Sequence, residues 1–586
     1  MPGPLSRVAT TLAATAALTC AATPSAVAAT KGDERPLVYL IVVDGLDGDR
    51  YDSGRLPFLR SLGGTYFRES RSVMIAETNP NHTAMITGAY GDTSGIPGNA
   101  FALFAPLENE DSCRATGPED LTKGPTITSG ENANCLQAET LFAALKRQAG
   151  TRYGSAFATG KPKLGRLFSG RTRDPARSDA DVIFAPCSGD DLPGEAAYCS
   201  GVPLNPVSGY ALDDRTVMDA VLAQLSQGPG GARPDFSFVN LHQVDSIGHI
   251  SGTGPLYDAA AGEADAQLRR LVDRLKARDE WKRTVMIVVS DHSMETTLTK
   301  STLTSRYTAA GVPASAFTVV QNGSVDMVYL NDRTSPERFA LLAKLRAATL
   351  AGGGTSEVLY REPNPVDGGT THTIGAVHPA WHAGGPRHGD LFVTAAPGGA
   401  FSDPGEFSNP IPGNHGGPQT RDNLFVVTGG SAAVRNQTVT GVTGPFLDDT
   451  LTNVTSAENV DPAATAAGLL GVEAPAQSQG RFLAEAFDLG KLPGGGRPEV
   501  LPTLSLSRPS RGTVRVQTFR VGSREARVSL RDLRTGRVRQ VAKRTGLRTV
   551  LVRGVAGRRY EVRVRVRSTA TGVLSDTVRR RVTLRR

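Results

Sequence analysis

The sequence predicts a layered α/β domain on a doubly wound, mostly parallel sheet, interrupted by an insertion and followed by a small β-sandwich. Three observations carry this reading. Near-continuous apolar runs recur as far as Val427, helix-patterned stretches lie between them, and from Lys491 onward the pattern changes to strict alternation. The runs are Leu37 to Val43, Phe236 to Leu241, Val285 to Val289, Leu391 to Thr394 and Leu424 to Val427. Strands apolar on both faces belong to sheets covered on both sides, which are typically parallel. The clearest helical pattern is Ala259 to Arg278, where Ala, Leu and Val recur at helical spacing among charged residues. Alternating strands and helices of this kind build a parallel sheet, which binds ligands at the carboxyl ends of its strands.

Phe101 to Gly209 lacks such runs, is rich in Gly, Pro and Asp, and contains Cys113, Cys135, Cys187 and Cys199. It reads as a disulfide-stapled cap over the sheet. Around Leu492 to Pro498 a Gly- and Pro-rich linker closes the first domain. Beyond it, runs such as Ala526 to Leu530 and Tyr560 to Val566 alternate apolar and Arg positions, the pattern of an antiparallel immunoglobulin- or fibronectin-III-like sandwich with Arg on its solvent face. The expected organisation is a signal peptide over 1–28, a catalytic body over 29–490 with its cap near 101–209, and a β-sandwich over 491–586.

Composition supports this division. At 586 residues and 39% hydrophobic, the chain is too long for one small domain and too apolar to be disordered. Arg7, an apolar run from Val8, and Ala26-Val27-Ala28 read as a secretory signal with its cleavage site. The expected location is therefore extracellular. No later stretch is long and apolar enough to span a membrane. Four cysteines in an exported chain favour two disulfides, expected as Cys113–Cys135 and Cys187–Cys199, although the sequence alone allows the other two pairings as well. The net charge of +8 is unevenly spread: the last 96 residues hold 26 Lys and Arg against 5 Asp and Glu, leaving an acidic body.

Acidic and imidazole side chains gather at the strand ends. Asp44 closes the first run, Asp245 and His249 follow the second at i,i+4 spacing, Asp291 and His292 follow the third, and His415 lies in a Gly-rich loop before the last. Mixed carboxylate and imidazole shells suit zinc-like ions. Thr78 precedes a short helix, whose free N–H groups suit a phosphate. Next to a metal its hydroxyl would become a nucleophile. His82 and His242 read as structural hydrogen-bonders, and His372, His378, His382 and His388 are rivals to His415 as the last ligand.

Six short segments in order, Val42-Val43-Asp44-Gly45, Thr78-Asn79-Pro80-Asn81-His82, Gly95-Ile96-Pro97-Gly98-Asn99, Asp245 to His249, Asp291-His292-Ser293-Met294 and Asn414-His415-Gly416, make the chain similar to the type I phosphodiesterase/nucleotide pyrophosphatase group of the alkaline phosphatase superfamily. The resemblance spans roughly Pro36 to Val472 and implies an alkaline-phosphatase-like fold with two zinc ions. Asp245, His249 and His415 would hold one, and Asp44, Asp291, His292 and Thr78 the other. Asn99 matches a residue that hydrogen-bonds the phosphoryl oxygen. The implied reaction passes through a phosphothreonine at Thr78, with a small phosphoester or nucleotide as substrate. Two positions depart from the family pattern: Asn79 stands where its nucleotidases carry an aromatic residue, and Ser293 replaces a Gly. The Thr-Asn-Pro-Asn wording also resembles the related phosphonoacetate hydrolases, so phosphonate or monoester hydrolysis is the alternative. A further one is a polyanion-binding protein with an inactive body, whose basic tail contacts an anionic polymer or cell surface.

Overall fold

Leu37–Val43 is buried along its whole length because it runs through the centre of an eight-stranded sheet with cores on both faces. The computed structural model describes residues 36–109, 113–149, 153–168, 180–186, 213–225, 233–405, 412–440, 457–488, 491, 503–508, 510–519, 523–544, 549–568 and 578–585. Residues 1–28, the 492–500 linker, Cys187 and Cys199 lie outside them.

The sheet order is Gln437–Val439, Thr65–Phe67, Phe425–Thr428, Thr284–Val289, Leu37–Val43, Phe236–Leu241, Ser155–Thr159 and Val182–Phe184. From Thr284–Val289 to Val182–Phe184 every pair is parallel. Alternation along the central strand divides the core. Val38, Leu40 and Val42 meet Phe142, Phe157 and Phe238, while Tyr39, Ile41 and Val43 face Leu268, Leu271 and Val272 of the helix Pro255–Ala277. This is the predicted α/β architecture. All five parallel strands end at one edge, where loops are free to carry chemistry.

Three expectations are corrected. Leu424 to Val427 does supply a main-sheet strand, Phe425–Thr428, but it runs antiparallel to both neighbours. Leu391–Ala395 belongs to a second, antiparallel sheet with Phe317–Asn322, Val325–Leu330 and Thr355–Tyr360. Its apolar run resembled a parallel strand because both its faces are covered. Phe392 joins the main core, while Leu391 and Val393 pack with Tyr307 and Leu345 from the helices Leu303–Ala309 and Arg338–Ala351. The 101–209 segment is also only partly a cap, since Ser155–Thr159 and Val182–Phe184 extend the main sheet. Strands so short left no long apolar run to read. Its first part forms the hairpin Ala100–Leu103 with Thr126–Ser129, stapled by Cys113–Cys135.

After the linker, a three-stranded and a four-stranded antiparallel sheet enclose Val514, Val516, Val528, Leu530, Val562 and Val564. This is the expected β-sandwich. Arg580 joins it to the body, donating to the carbonyls of Pro475 and Ser478 at 3.1 and 2.7 Å.

Candidate active site

The nucleophile candidate is set by the local chemistry of its motif. Thr78–Thr87 is a helix buried on every side, with Glu77 at its N-cap. Pro80 falls in the first turn, where a missing N–H costs nothing. Asn81 locks the incoming chain: its Oδ1 accepts from Val73 N at 2.7 Å, and its Nδ2 donates to the carbonyls of Val73, Ile75 and Glu77 at 3.0–3.2 Å. Thr78 is thereby held at the helix start. Asn99 is aimed at the same place by two bonds, its N–H donating to Glu77 Oε2 at 2.7 Å and its Oδ1 accepting from Asn79 N at 2.9 Å.

The acidic and imidazole groups converge on this helix end. Asp44 ends the first strand, and Gly45 follows at φ +74°, where a Cβ would lie 2.8 Å from the Asp245 Cα. Only glycine permits that approach. Asp245 and His249 lie one helical turn apart on Gln243–Ser251, with His249 Nε2 3.4 Å from Asp245 Oδ1. The Gly413 carbonyl contacts His249 Nδ1 at 2.9 Å and the Ala76 carbonyl contacts His415 Nδ1 at 3.1 Å, turning both Nε2 atoms toward Asp245. His292 stacks on His415 at 3.7 Å and places Nε2 3.2 Å from Asp291 Oδ2 and 3.9 Å from Asp44 Oδ1.

Among the described residues three groups could each hold a metal ion: Asp245 with His249 and His415; Asp44 with Asp245 and His292; and Asp44 with His82 and Asp291. Two orphaned acceptors and one ring nitrogen test the fit. Asp245 Oδ1, Asp291 Oδ2 and His292 Nε2 are buried without hydrogen-bond partners, a costly state that a cation between them relieves. The donor set fits divalent metal.

Electrostatics point the same way. Burial, then the charge of Asp291, pushes Asp44 up to about 7. Burial works against Asp245 too, but the Lys161 ammonium and then His249 and His415 hold it well below the usual carboxylate range. Burial likewise opposes charge on His292, yet Asp291 raises it to about 9.

The structure places the expected ligands, Thr78 and Asn99 in one cluster and groups Asp245, His249 and His415 as expected, but it sets Asp44 with Asp245 and His292, and with His82 and Asp291, rather than with Asp291 and His292 together. It places His372, His378, His382 and His388 in none of the three groups: His378 pairs with Glu357 at 2.8 Å, and His382 stacks on Tyr90 at 4.0 Å. His82 and His242 bond to Thr78 O and Ser246 Oγ, as structural residues do, although His82 also stands in one metal-holding group. Four residues went unread. Lys161, fully buried, donates to Asp44 Oδ1 and Asp245 Oδ2, both at 2.7 Å, and to Thr78 Oγ1 at 3.3 Å. Asn240 donates to Asp44 Oδ2 at 2.8 Å, Asn459 supports the Asp291 carbonyl at 2.9 Å, and Glu77 holds Asn99. Lys161 had a signal, since it stands two residues past a strand of the same sheet edge. Asn459 had none, being distant in sequence.

The fold is alkaline-phosphatase-like, and at the carboxyl edge of its parallel strands a buried carboxylate–imidazole cluster meets a threonine at a helix start. Residues 38–418 match the family described as Type I phosphodiesterase / nucleotide pyrophosphatase, and the chain belongs to it. That family comprises metal-dependent hydrolases of phosphoric esters. Human ectonucleotide pyrophosphatase/phosphodiesterase family member 1 is 27% identical over 275 residues, which are 45% of this chain and 24% of that protein. The chain thus matches about a quarter of the length of this curated relative. Among solved structures, murine ectonucleotide pyrophosphatase/phosphodiesterase 5 superimposes with a TM-score of 0.55 at 16% identity, over 77% of this chain and 100% of the other. Phosphonoacetate hydrolase from Sinorhizobium meliloti 1021, in complex with phosphonoformate, gives 0.51 at 20% identity, over 75% and 96%. Among the described residues no helix is long and apolar enough to cross a membrane.

Proposed function

We propose that the protein is a secreted two-zinc phosphodiesterase that cleaves phosphodiester or pyrophosphate bonds of nucleotides or other small phosphoesters through a phosphothreonine at Thr78. The observation that carries this reading is the convergence of Asp44, Asp245, His249, Asp291, His292 and His415 around the Thr78 helix start. One zinc would be held by Asp245, His249 and His415, the other by Asp44, Asp291, His292 and the Thr78 oxygen. Bound there, the metals would lower the Thr78 pKa and neutralise phosphoryl charge.

The chain's own groups supply position. Glu77 and the Asn79 N–H orient Asn99 so that its amide N–H₂ donates to a phosphoryl oxygen, and the first-turn N–H groups add to this. In-line attack by Thr78 Oγ forms the phosphothreonine as the P–O bond to the leaving group breaks. Water then releases phosphate or phosphomonoester. Secretion is supported by the signal-like start and the Cys113–Cys135 disulfide.

Lys161 favours a second reading at the same site. Its ammonium lies 3.3 Å from the nucleophile, and metal neutralising Asp44 and Asp245 would release it from those carboxylates to pair with a second anionic group on the substrate. A phosphonate bearing a carboxylate has such a group, and the Thr-Asn-Pro-Asn motif and the likeness to phosphonoacetate hydrolase agree with it. Initial rates on bis-p-nitrophenyl phosphate, p-nitrophenyl phosphate, a p-nitrophenyl nucleotide ester and phosphonoacetate, with and without chelator, decide between the two. Metal-dependent turnover of the diesters supports the first reading, and turnover of phosphonoacetate or the monoester alone replaces it with the second.

A further inference from the structure

Asn459 lies just before the helix Asp461–Leu470, outside residues 38–418 that match the family. The fold holds it rigidly. Its own N–H donates to the Arg71 carbonyl at 3.1 Å, and its neighbour Glu458 accepts from Tyr90 Oη at 2.6 Å and from Arg421 Nη2 at 3.3 Å. Asn423 Nδ2 donates to Asn459 Oδ1 at 2.9 Å, which turns the amide nitrogen the other way. That nitrogen reaches two parts of the site at once. It donates to Asn81 Oδ1 at 3.0 Å and to the Asp291 carbonyl at 2.9 Å, with the Ser290 carbonyl beside them at 3.3 Å. Asn459, Asn81 and Asp291 are all fully buried.

Each end of this bridge is tied to the chemistry. Asn81 holds the chain from Val73 to Glu77 that leads into Thr78, and its Oδ1 accepts from Val73 N as well. Asp291 is gripped at its side chain, where Gly45 N and His292 N donate to Oδ1 at 2.9 and 3.0 Å, so that Oδ2 is the oxygen left for a cation. Both partners of Asn459 Nδ2 are amide oxygens, which can only accept, so the position calls for an N–H₂. Aspartate would set a negative charge against them, and an apolar residue would take the donor from the buried Asp291 carbonyl. Removing a residue that orients a metal ligand in this way typically costs about 10–100-fold in metal affinity or activity. A misplacement of about 1 Å between nucleophile and ligand is felt as strongly.

We propose that Asn459 is a positioning residue that fixes the Thr78 nucleophile against the Asp291 metal ligand, an inference that rests on the two-zinc hydrolase reading above. The test compares full-length wild type with Asn459→Leu, which keeps the volume and removes both donors, and Asn459→Ser, a milder change that keeps one hydroxyl donor. Competitive zinc titration and thermal unfolding are read beside kcat and KM, at saturating zinc, on the best of the four substrates named above. The wild type should bind two zinc ions. Asn459→Leu should weaken one of the two zinc affinities by about 10–100-fold and lower kcat by about the same factor, with KM changed less than about twofold, and Asn459→Ser should fall between. Variants that fold and keep both zinc affinities and kcat would overturn the proposal, as would a lower melting temperature alone, which makes Asn459 a structural residue only. If Asn459→Leu fails to fold, Asn459→Ser decides by the same readouts. Wild type that binds no zinc brings down the hydrolase reading and the proposal with it, whereas wild type that binds two while both variants match it brings down the proposal alone.

Discussion

Replacing Lys161 by methionine separates charge from packing at the centre of the site. The Lys161 ammonium is fully buried and shared between Asp44 and Asp245 at 2.7 Å each. Removing one partner of a buried ion pair costs about 3–5 kcal/mol, so Lys161→Met should destabilise the chelator-treated protein by that amount. With divalent metal bound, the same carboxylates are neutralised, and the cost should fall to the packing change, under about 1.5 kcal/mol. The difference, about 2–4 kcal/mol, must reappear as tighter metal binding, roughly thirtyfold to a thousandfold. Urea unfolding with and without zinc, beside a competitive zinc titration, measures both sides. Equal destabilisation in both states with an unchanged zinc Kd would refute the claim that lysine and metal compete for the same charges.

Asn99→Ala should lower kcat by about 10²–10³, the usual cost of one oxyanion donor, with metal content unchanged; unchanged kcat would remove Asn99 from the site. Metal uptake should also be proton-linked. Asp44, at about 7, and His292, at about 9, hold protons that metal ligands must lose. Affinity should therefore rise with pH, with about two protons released below pH 7, one between 7 and 9, and none above. Calorimetry in buffers of different ionisation enthalpy counts them, and a pH-independent zinc Kd would contradict the assignment.

The fold was legible where period and burial agree. Leu37–Val43 and Phe236–Leu241 are covered on both faces and read as what they are. Leu391–Ala395 misled because two-sided burial is a property of its surroundings: a helical layer covers one face and the main core the other, so an antiparallel strand took on a parallel strand's composition. The direction of Phe425–Thr428 is likewise set by its connection, which no residue type encodes. Within the site, ligands at strand ends could be found because the α/β architecture fixes where such ends converge. Lys161 escaped because lysine is ordinarily a surface residue, and Asn459 because its contact with Asp291 closes only in the folded chain.

The central claim is that Thr78 carries the phosphoryl group. Rapid acid quenching of zinc-loaded protein during turnover of a diester, followed by peptide mass spectrometry, tests it directly. The account predicts a transient phosphate on the peptide containing Thr78, formed at least as fast as steady-state turnover and absent from Thr78→Ala, which is inactive but still binds zinc. Full zinc-dependent turnover by Thr78→Ala, or rapid turnover with no phosphate ever on that peptide, would contradict it.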